Sequence, residues 1–476
     1  MDHLDQQFLN TVSEAVLNSG LSGATITVAV SGGPDSLSLL DALHKTSSHT
    51  KIQLNVAHLN HKLRHRAAKT DSDFVQSFCQ SIGVPCVVGT IDVLKMATDR
   101  KVSIEEAARQ ARHIFLSQSS VQFGSAAVAL GHTSDDQAET ILMHLIRGSG
   151  LKGLRGMDQI STRIIDQVSL QLFRPLLSIS RTDVERYCLR SRLSPRIDTT
   201  NFSKEFTRNA IRLELIPSLQ KYNPEIKKTL LRLSRTVSQD LDFLEDAAKE
   251  VHNSISLPVK HGIALDTKAL GELPESLASR ILKASATKVN GSGSDITLSH
   301  IESMMNLVHG SAGRSVNLPH GLIVTRGYGK LFLHKSHDDI TPLPLLPTQP
   351  TALLIPGVLE LTGWKVETAM EKAPKSYPNP EKNSGGIAWL KISPNDTLFI
   401  RSRKPGDLFQ PSGMRNHKKL QDFMVDARIP RLWRDRTPLL MIKGEIAWVV
   451  GWRTAEWASA ESGTLSIKVE FTRTKR

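Results

Sequence analysis

The chain has little cysteine and little aromatic surface. Three cysteines, Cys79, Cys86 and Cys188, occur among 476 residues, and none belongs to a CxxC pair. Such spacing builds neither a disulfide framework nor a local thiolate cage, and a reducing compartment is expected. Aromatic residues make up only 5%. No run of about 18 apolar residues is present to span a bilayer. The opening MDHLDQQFLN carries two aspartates and no apolar stretch, so a secretory leader is not expected and the expected location is cytoplasmic. GxxxxGK(S/T) is absent too, which excludes a Walker-type nucleotide loop. With 39% hydrophobic and 22% charged residues, global disorder is excluded.

What is in excess is positive charge. Lys plus Arg number 60 against 47 Asp plus Glu, a formal charge of +13. A polyanionic partner follows, nucleic acid first and an acidic membrane surface second. At roughly 100–200 residues per domain, the length suggests two to four domains.

Through the first 150 or so residues, short apolar runs alternate with helical patterns. Ala24 to Val30 reads as a strand, followed by a Gly-rich turn and a helix over Ser36 to His44. Ile52 to His58, Pro85 to Val88 and Ala126 to Leu130 read as further strands, and Asp71 to Ser81 as a helix stopped at Gly83. This alternation predicts an α/β domain with a doubly wound parallel sheet. Capping boxes are expected at Ser103–Glu106 and Ser134–Gln137. Helical spacing returns over Asn223 to Asn253 and Leu298 to Val308, predicting a smaller, mainly helical middle domain. Thr341 to Pro356, with Pro342, Pro344, Pro347, Pro350 and Pro356, favours an extended connector, and Lys372 to Gly386 an exposed loop. Strands at Thr397 to Arg401, Leu439 to Ile442 and Ile446 to Gly451 predict a small α+β C-terminal module. The expected division is 1–216, 217–340, a Pro-rich connector and loop over 341–388, and 389–476, with no internal repeat.

The sharpest local feature is Ser31-Gly32-Gly33-Pro34-Asp35-Ser36, set between strand and helix. Two glycines let backbone approach an anion closely. Hydroxyls and loop N–H groups donate, and the helix N-terminus adds positive potential, so phosphate belongs there. A tight strand-to-helix turn with a capping Ser or Asp is the plain alternative. An aspartate inside a phosphate loop is repelled by its ligand unless a divalent cation bridges them, so Asp35 implies Mg²⁺.

This loop resembles that of the N-type ATP pyrophosphatases, which adenylate a carbonyl-type oxygen and release pyrophosphate. Further blocks narrow the likeness: Ala57-His-Leu-Asn-His-Lys-Leu-Arg64, Glu105-Glu-Ala-Ala-Arg-Gln-Ala-Arg112, Gly131-His-Thr-Ser-Asp-Asp-Gln-Ala-Glu-Thr140, Arg147-Gly-Ser-Gly150, Arg174-Pro-Leu-Leu177, Asp198-Thr-Thr-Asn201 and Arg208-Asn-Ala-Ile-Arg212. In that order they resemble the tRNA(Ile)-lysidine synthetase family. Arg401-Ser-Arg-Lys-Pro-Gly-Asp407, Lys418-Lys-Leu420 and Ile429-Pro430 are similar to its last domain. The middle is matched only in helical character. His113 stands where Tyr is commoner, and Thr199-Thr200 where Ser is usual.

The resemblance implies an ATP-dependent carbon–nitrogen ligase. The 2-oxo group of the wobble cytidine in a minor isoleucine tRNA attacks the α-phosphate of ATP, and the ε-amine of free L-lysine then displaces AMP. It also implies nucleotide contacts at His58, Asn60 and His132 besides the loop. The homodimer is one option for the assembly.

On residue types alone, helix spacing sets Asp136, Glu139, Thr140 and Met143 on one side of their helix and Ala138, Ile141, Leu142 and Leu145 on an apolar one. Asp135 and Asp136, if not mere dipole partners, are ligand candidates: Asp35 and Asp136 for Mg²⁺, Asp135 or Glu139 for the lysine ammonium group. Arg109 and Arg112 follow Glu105 on a capped helix, where a Glu105–Arg109 surface pair competes with a grip on the ATP phosphates. Arg208, Asn209 and Arg212 are candidates to clamp phosphate or base, against a solvated helix face. From Arg401 to Arg436 ten Lys and Arg oppose four Asp, a net +6. Arg401, Arg403, Lys404, Lys418 and Lys419 are therefore expected to hold tRNA phosphates, giving affinity more than sequence specificity.

Three patterns are set aside. Gly148 to Gly153 fits GxGxxG but follows a helix. His58, His61 and His65 lack a fourth local ligand for zinc, and with Lys62, Arg64 and Arg66 look like a basic loop. Trp433, Trp448, Trp452 and Trp457 are expected in the core. A tRNA thiolase would ordinarily need a cysteine pair, and a glutamine-dependent amidotransferase a cysteine after Met1. A non-catalytic tRNA-binding protein is the remaining rival.

Overall fold

In a computed structural model the described residues are 3–62, 65–166, 168–196, 207–259, 261–291, 295–336, 341, 343–375, 386–391 and 396–474. The Asp198–Asn201 block, Arg64, Pro342, Pro378 and Pro380 therefore lie outside them. The chain forms two compact units, Met1–Phe243 and Leu244–Arg476.

The first unit runs α1 (His3–Asn18), β1 (Thr25–Ala29), α2 (Pro34–Thr50), β2 (Gln53–Asn60), α3 (His65–Ser81), β3 (Cys86–Thr90), α4 (Val93–Arg100), α5 (Ile104–Phe123), β4 (Ala127–Ala129), α6 (Ser134–Ile146), α7 (Leu151–Leu154), β5 (Ile160–Ile165), β6 (Val168–Phe173), α8 (Arg181–Arg190), α9 (Thr207–Ala210), a π-helical turn (Ile211–Leu215), α10 (Ile216–Gln220) and the start of α11 (Ile226–Ile255). Its sheet has the order β3-β2-β1-β4-β6-β5. Each neighbouring pair is parallel except β5 with β6, an antiparallel hairpin at the edge.

Helices cover both faces, as the near-continuous apolar strands require. On one side Phe8, Val12, Leu39, Leu40, Val75 and Val184 pack with Ile26 and Val28; on the other Phe115 and Leu116 of α5 pack on Ala57, Val128, Leu170 and Leu172. Strand order reverses between β1 and β4, so the carboxyl ends of these two strands open a crevice, the usual ligand position in such sheets.

In the second unit the helical middle region holds α12 (Thr267–Glu272), α13 (Glu275–Asn290) and α14 (Leu298–His309). It also carries a five-stranded antiparallel sheet, β7 (Ser256–Val259), β8 (Gly262–Asp266), β9 (Ser315–Asn317), β10 (Ile323–Arg326) and β11 (Lys330–His334), in the order β7-β8-β11-β10-β9. The periodicity had not indicated this sheet. Ile281, Leu282, Met304, Leu331 and Leu333 close the layer between helices and strands.

The C-terminal region follows with β12 (Thr351–Leu353), β13 (Gly357–Leu361), β14 (Trp364–Lys372), β15 (Gly386–Leu390), β16 (Leu398–Arg401), β17 (Leu408–Phe409), β18 (Lys418–Lys419), α15 (Leu420–Asp426), α16 (Arg431–Arg434), β19 (Leu439–Ile442), β20 (Glu445–Val449), β21 (Arg453–Thr454) and β22 (Leu465–Arg473). Two antiparallel sheets, β12-β16-β19-β20-β21 and β13-β14-β22-β15, share one core, in which Trp448 is buried and on which Trp433, Trp452 and Trp457 pack. Of the tryptophans expected in the core, Trp448 lies in it and the other three are half-buried against it.

Candidate active site

After β1 the backbone turns at Gly32, whose φ of +90° only glycine adopts without strain. Gly33 is the extended N-cap of α2, and Pro34 sets its first turn. The Ser36 hydroxyl accepts from the Ser31 amide at 3.1 Å and donates to the Gly33 carbonyl at 3.1 Å, so the loop is held from inside. Gly131, just past β4, comes so close that a Cβ there would lie 2.8 Å from the Asp35 carbonyl oxygen. The loop and the β4–α6 turn are thus pressed together, backbone to backbone.

The helix cap of α6 sits one residue earlier than expected. Thr133, not Ser134, is the N-cap, and Asp136, not Gln137, completes the box: its Oδ2 accepts from the Thr133 amide at 2.9 Å and from the Thr133 hydroxyl at 3.0 Å. Gln137 instead turns to the backbone of Arg155 and Met157. Ala138, Ile141 and Leu142 are core as expected, whereas Leu145 is 54% exposed because α6 has run past its packing partners.

Carboxylates and cations interlock around this turn. Glu139, only 1% exposed, accepts from Arg208 Nε at 2.9 Å and from Arg212 at 2.5 and 3.0 Å. Asp136 Oδ1 lies 3.3 Å from Arg208 and 3.4 Å from Arg212. Arg208 and Arg212 are therefore not a solvated face; α9 and the π-helical turn aim both at α6. Asn209 lies half-buried between them. Asp135 accepts from Lys227 Nζ at 2.6 Å and from the Arg181 amide at 2.8 Å. Asp35 Oδ2 takes the Arg181 guanidinium at 3.1 Å, while its Oδ1 is buried with no partner among the described residues.

Protonation follows these surroundings. Burial raises the Asp35 carboxyl above its ordinary range despite Arg181, with the charge of Asp136 adding to the rise. For Asp136 burial pulls upward, but Arg208 and the Thr133 amide outweigh it and the net shift is downward. Asp135 likewise ends below its usual value: burial is opposed by the Arg181 amide and Lys227.

The remaining nucleotide candidates line the same end of the sheet. His58 is buried and its Nδ1–H donates to the Val30 carbonyl at 2.8 Å, which fixes the tautomer and leaves Nε2 as an acceptor. Asn60, at the end of β2, accepts from the Lys62 amide at 2.9 Å. His132 is pushed down to about 4 by burial, with Arg174, Arg208 and Arg112 adding to the depression. Arg109 and Arg112 pair with no carboxylate among the described residues, so the expected alternative of a Glu105–Arg109 bridge is not formed there. Loss of solvation and the neighbouring cations Arg208 and Arg109 lower the Arg112 pKa.

In the C-terminal region the basic residues divide. Arg401 makes a two-pronged bridge to Asp407 at 2.8 Å, Arg403 pairs with Asp435 at 2.7 Å and Lys418 with Asp426 at 2.5 Å. Lys404 and Lys419 are exposed.

Thr133, Arg181 and Lys227 were not among the sequence candidates. Thr133 carried a signal, a hydroxyl three residues before an acid; the other two touch Asp35 and Asp135 only through the fold.

A pyrophosphate-sized loop at the reversal point of a doubly wound sheet, facing a carboxylate-bearing helix, defines a PP-loop ATP-using domain. Residues 2–219 match the family described as "PP-loop domain", and residues 398–471 the one described as "TilS substrate C-terminal domain". Similar proteins are the tRNA(Ile)-lysidine synthases of Dehalococcoides mccartyi, 36% identical over 97% of this chain and 98% of that protein, of Clostridium acetobutylicum, 32% over 94% and 95%, and of Clostridium tetani, 31% over 97% and 97%. The chain belongs to the tRNA(Ile)-lysidine synthase family.

Proposed function

We propose that this protein ligates L-lysine to carbon 2 of the wobble cytidine of the minor, CAU-anticodon isoleucine tRNA. Cytidine O2 attacks the α-phosphorus of ATP and the bond to the β-phosphate breaks, releasing pyrophosphate. The lysine ε-amine then attacks C2 of the adenylated base, AMP leaves, and lysidine results. Beyond family membership, the observation that carries this reading is the meeting at one crevice of the Ser31–Ser36 loop, the α6 carboxylates, and Arg208 and Arg212.

Within that reading the loop amides and the hydroxyls of Ser31 and Ser36 hold the departing pyrophosphate, and Arg109 or Arg112 answers the charge that grows during phosphoryl attack. Arg208, Asn209 and Arg212 orient the base beside Glu139 and Asp136. For the lysine ammonium group Asp135 or Glu139 is the carboxylate, and at Asp135 the incoming amine would take the place of Lys227, whose Nζ lies 2.6 Å from Oδ1. Glu139 has both oxygens occupied by guanidinium groups. Asp35 and Asp136 suit Mg²⁺: Asp35 keeps one buried oxygen without a partner among the described residues, and its carboxyl is raised partly by the charge of Asp136. Among the described residues no group of three or more His, Cys, Asp or Glu could hold a metal, so phosphate oxygens would complete the shell. Once bound, the cation would neutralise charge on the α- and β-phosphates.

The basic residues of the 389–476 module, Lys404 and Lys419 foremost because they are exposed, anchor the tRNA body together with the 217–340 domain. Residues 1–216 carry the chemistry. No helix among the described residues is long and apolar enough to cross a membrane, and the reaction fits a cytoplasmic setting.

Cys79 and Cys86 touch each other and the Cys86 thiol is lowered by that contact, but Cys86 opens β3 at the end of the sheet away from the crevice, so sulfur transfer at the loop is disfavoured. Cys188 touches the loop, its Sγ 3.7 Å from the Pro34 carbonyl, but burial and then Asp35 and Asp41 push its thiol up to about 12, far from a thiolate nucleophile. The test is ATP/pyrophosphate exchange together with incorporation of labelled lysine into bulk bacterial tRNA. Wild type is expected to support both, while Asp35→Ala and Asp136→Asn lose exchange. Near-normal exchange in both variants would sink the metal assignment, and tRNA binding without AMP release would favour a binding protein.

A further inference from the structure

Beyond the crevice, the edge hairpin of the first unit carries a cation that the reaction above does not use. β5 is the terminal strand of the sheet, and Thr162, Arg163 and Ile164 along it are exposed. α5 packs on this hairpin through Phe115 and Leu116 against Leu170 and Leu172. On the flank of α5 that carries Leu116, Arg109 two turns earlier is exposed and His113 one turn earlier is half-buried.

These groups feel one another strongly. His113 is pushed down to about 4 by burial, then by Arg163, Arg109 and Arg112, and Arg163 is itself lowered by loss of solvation and by Arg109. The acid that reaches this group is Glu106, whose Oε1 already accepts from Gln110 at 3.0 Å. No salt bridge to Arg109, Arg112 or Arg163 is formed among the described residues. Cations held together against a single nearby carboxylate, Glu106, raise the energy of the free protein and are relieved by an anion of several charges.

We propose that Arg163 and Arg109 form a wall that binds backbone phosphates of the RNA substrate next to the reacting nucleotide. This rests on the tRNA reading above. RNA is favoured over ATP because the phosphates of ATP are served by the Ser31–Ser36 loop at the end of β1 and, with Arg109 turned to the wall, by Arg112, whereas Arg163 lies on the edge strand, two strands beyond β4. Phosphate contacts fix register without reading sequence, which suits a loop whose bases must be splayed toward a catalytic crevice.

The experiment is tRNA binding by full-length Arg163→Gln, Arg163→Lys and Arg163→Glu at several KCl concentrations, with the KM for ATP measured in parallel. Arg163→Gln is expected to reduce the slope of log affinity against log salt by about 0.7, the loss of one phosphate contact on a single strand. Arg163→Lys keeps the charge and restores the slope, Arg163→Glu weakens binding further, and the KM for ATP does not move. An unchanged slope in Arg163→Gln with an unaltered melting temperature overturns the proposal, as does a raised KM for ATP with unchanged tRNA binding. Failure of the lysidine reading is separable: lysine incorporation would then be absent from wild type, while the slope change on RNA would still be seen.

Discussion

Replacing Glu139 by glutamine removes one negative charge from beneath two guanidinium groups. Glu139 is 1% exposed and binds Arg208 at 2.9 Å and Arg212 at 2.5 and 3.0 Å. Glutamine fills the same space, but its NH₂ group would face an arginine N–H, donor against donor. Breaking a buried ion pair by removing one partner costs about 3–5 kcal/mol. Arg208 and Arg212 keep 33% and 23% exposure and retain Asp136, so the lower end, ~3 kcal/mol, is expected. For a unit of this size, with a shift of roughly 2–4 °C per kcal/mol, the melting temperature of the first unit should fall by about 6–12 °C. Differential scanning calorimetry of the full chain reads the shift, and the double variant Glu139→Gln/Arg212→Gln should lose little more than either single one, because all three groups act as one network. A shift under about 2 °C, or strictly additive losses, would refute the reasoning.

Two further outcomes follow from the geometry. Gly131→Ala places a methyl group 2.8 Å from the Asp35 carbonyl oxygen and 3.1 Å from the Ser36 amide nitrogen; the loop must give way, and a raised KM for ATP with about 1–3 kcal/mol lost in urea unfolding is expected, while an unchanged KM would mean the loop position does not matter. Asp407 has its pKa lowered: burial raises it, but the Arg401 bridge and the Lys404 amide pull it further down. A depressed folded-state pKa gives stability that is present above the unfolded value of about 3.9 and is lost as pH falls through the lower folded value. The gap between wild type and Asp407→Asn in urea unfolding should therefore be full at pH 6 and shrink below about pH 4, and a gap that widens with acid would reverse the assignment.

The phosphate loop was legible because every part of its signal is local: an apolar strand, two glycines, a proline at the first helical turn and an acid within six residues. Helix α6 was legible as a helix, yet its cap was not, since Thr133 and Ser134 are both good caps and the choice is made by how Asp136 folds back. Arg181 and Lys227 gave no local sign, because their partners Asp35 and Asp135 lie 146 and 92 residues away in sequence. The sheet of the middle region was hidden for another reason. β7 spans four residues including Pro258, and β9 spans three, too short for alternation to stand out; a proline is tolerated because β7 is an edge strand. The edge hairpin carrying Arg163 was likewise unread.

The imidazoles beside the crevice set a limit on how the protein responds to its surroundings. His61 and His113 are both held down to about 4, by burial first and then by neighbouring cations, so neither carries charge at neutrality or in mild acid. The positive potential on that wall is then supplied by arginines, which do not titrate in any physiological range. Its grip on a polyanion should hold steady through mild acid, until Glu106 protonates and strengthens it, which makes salt, rather than protons, the condition that tunes this side of the molecule near neutrality.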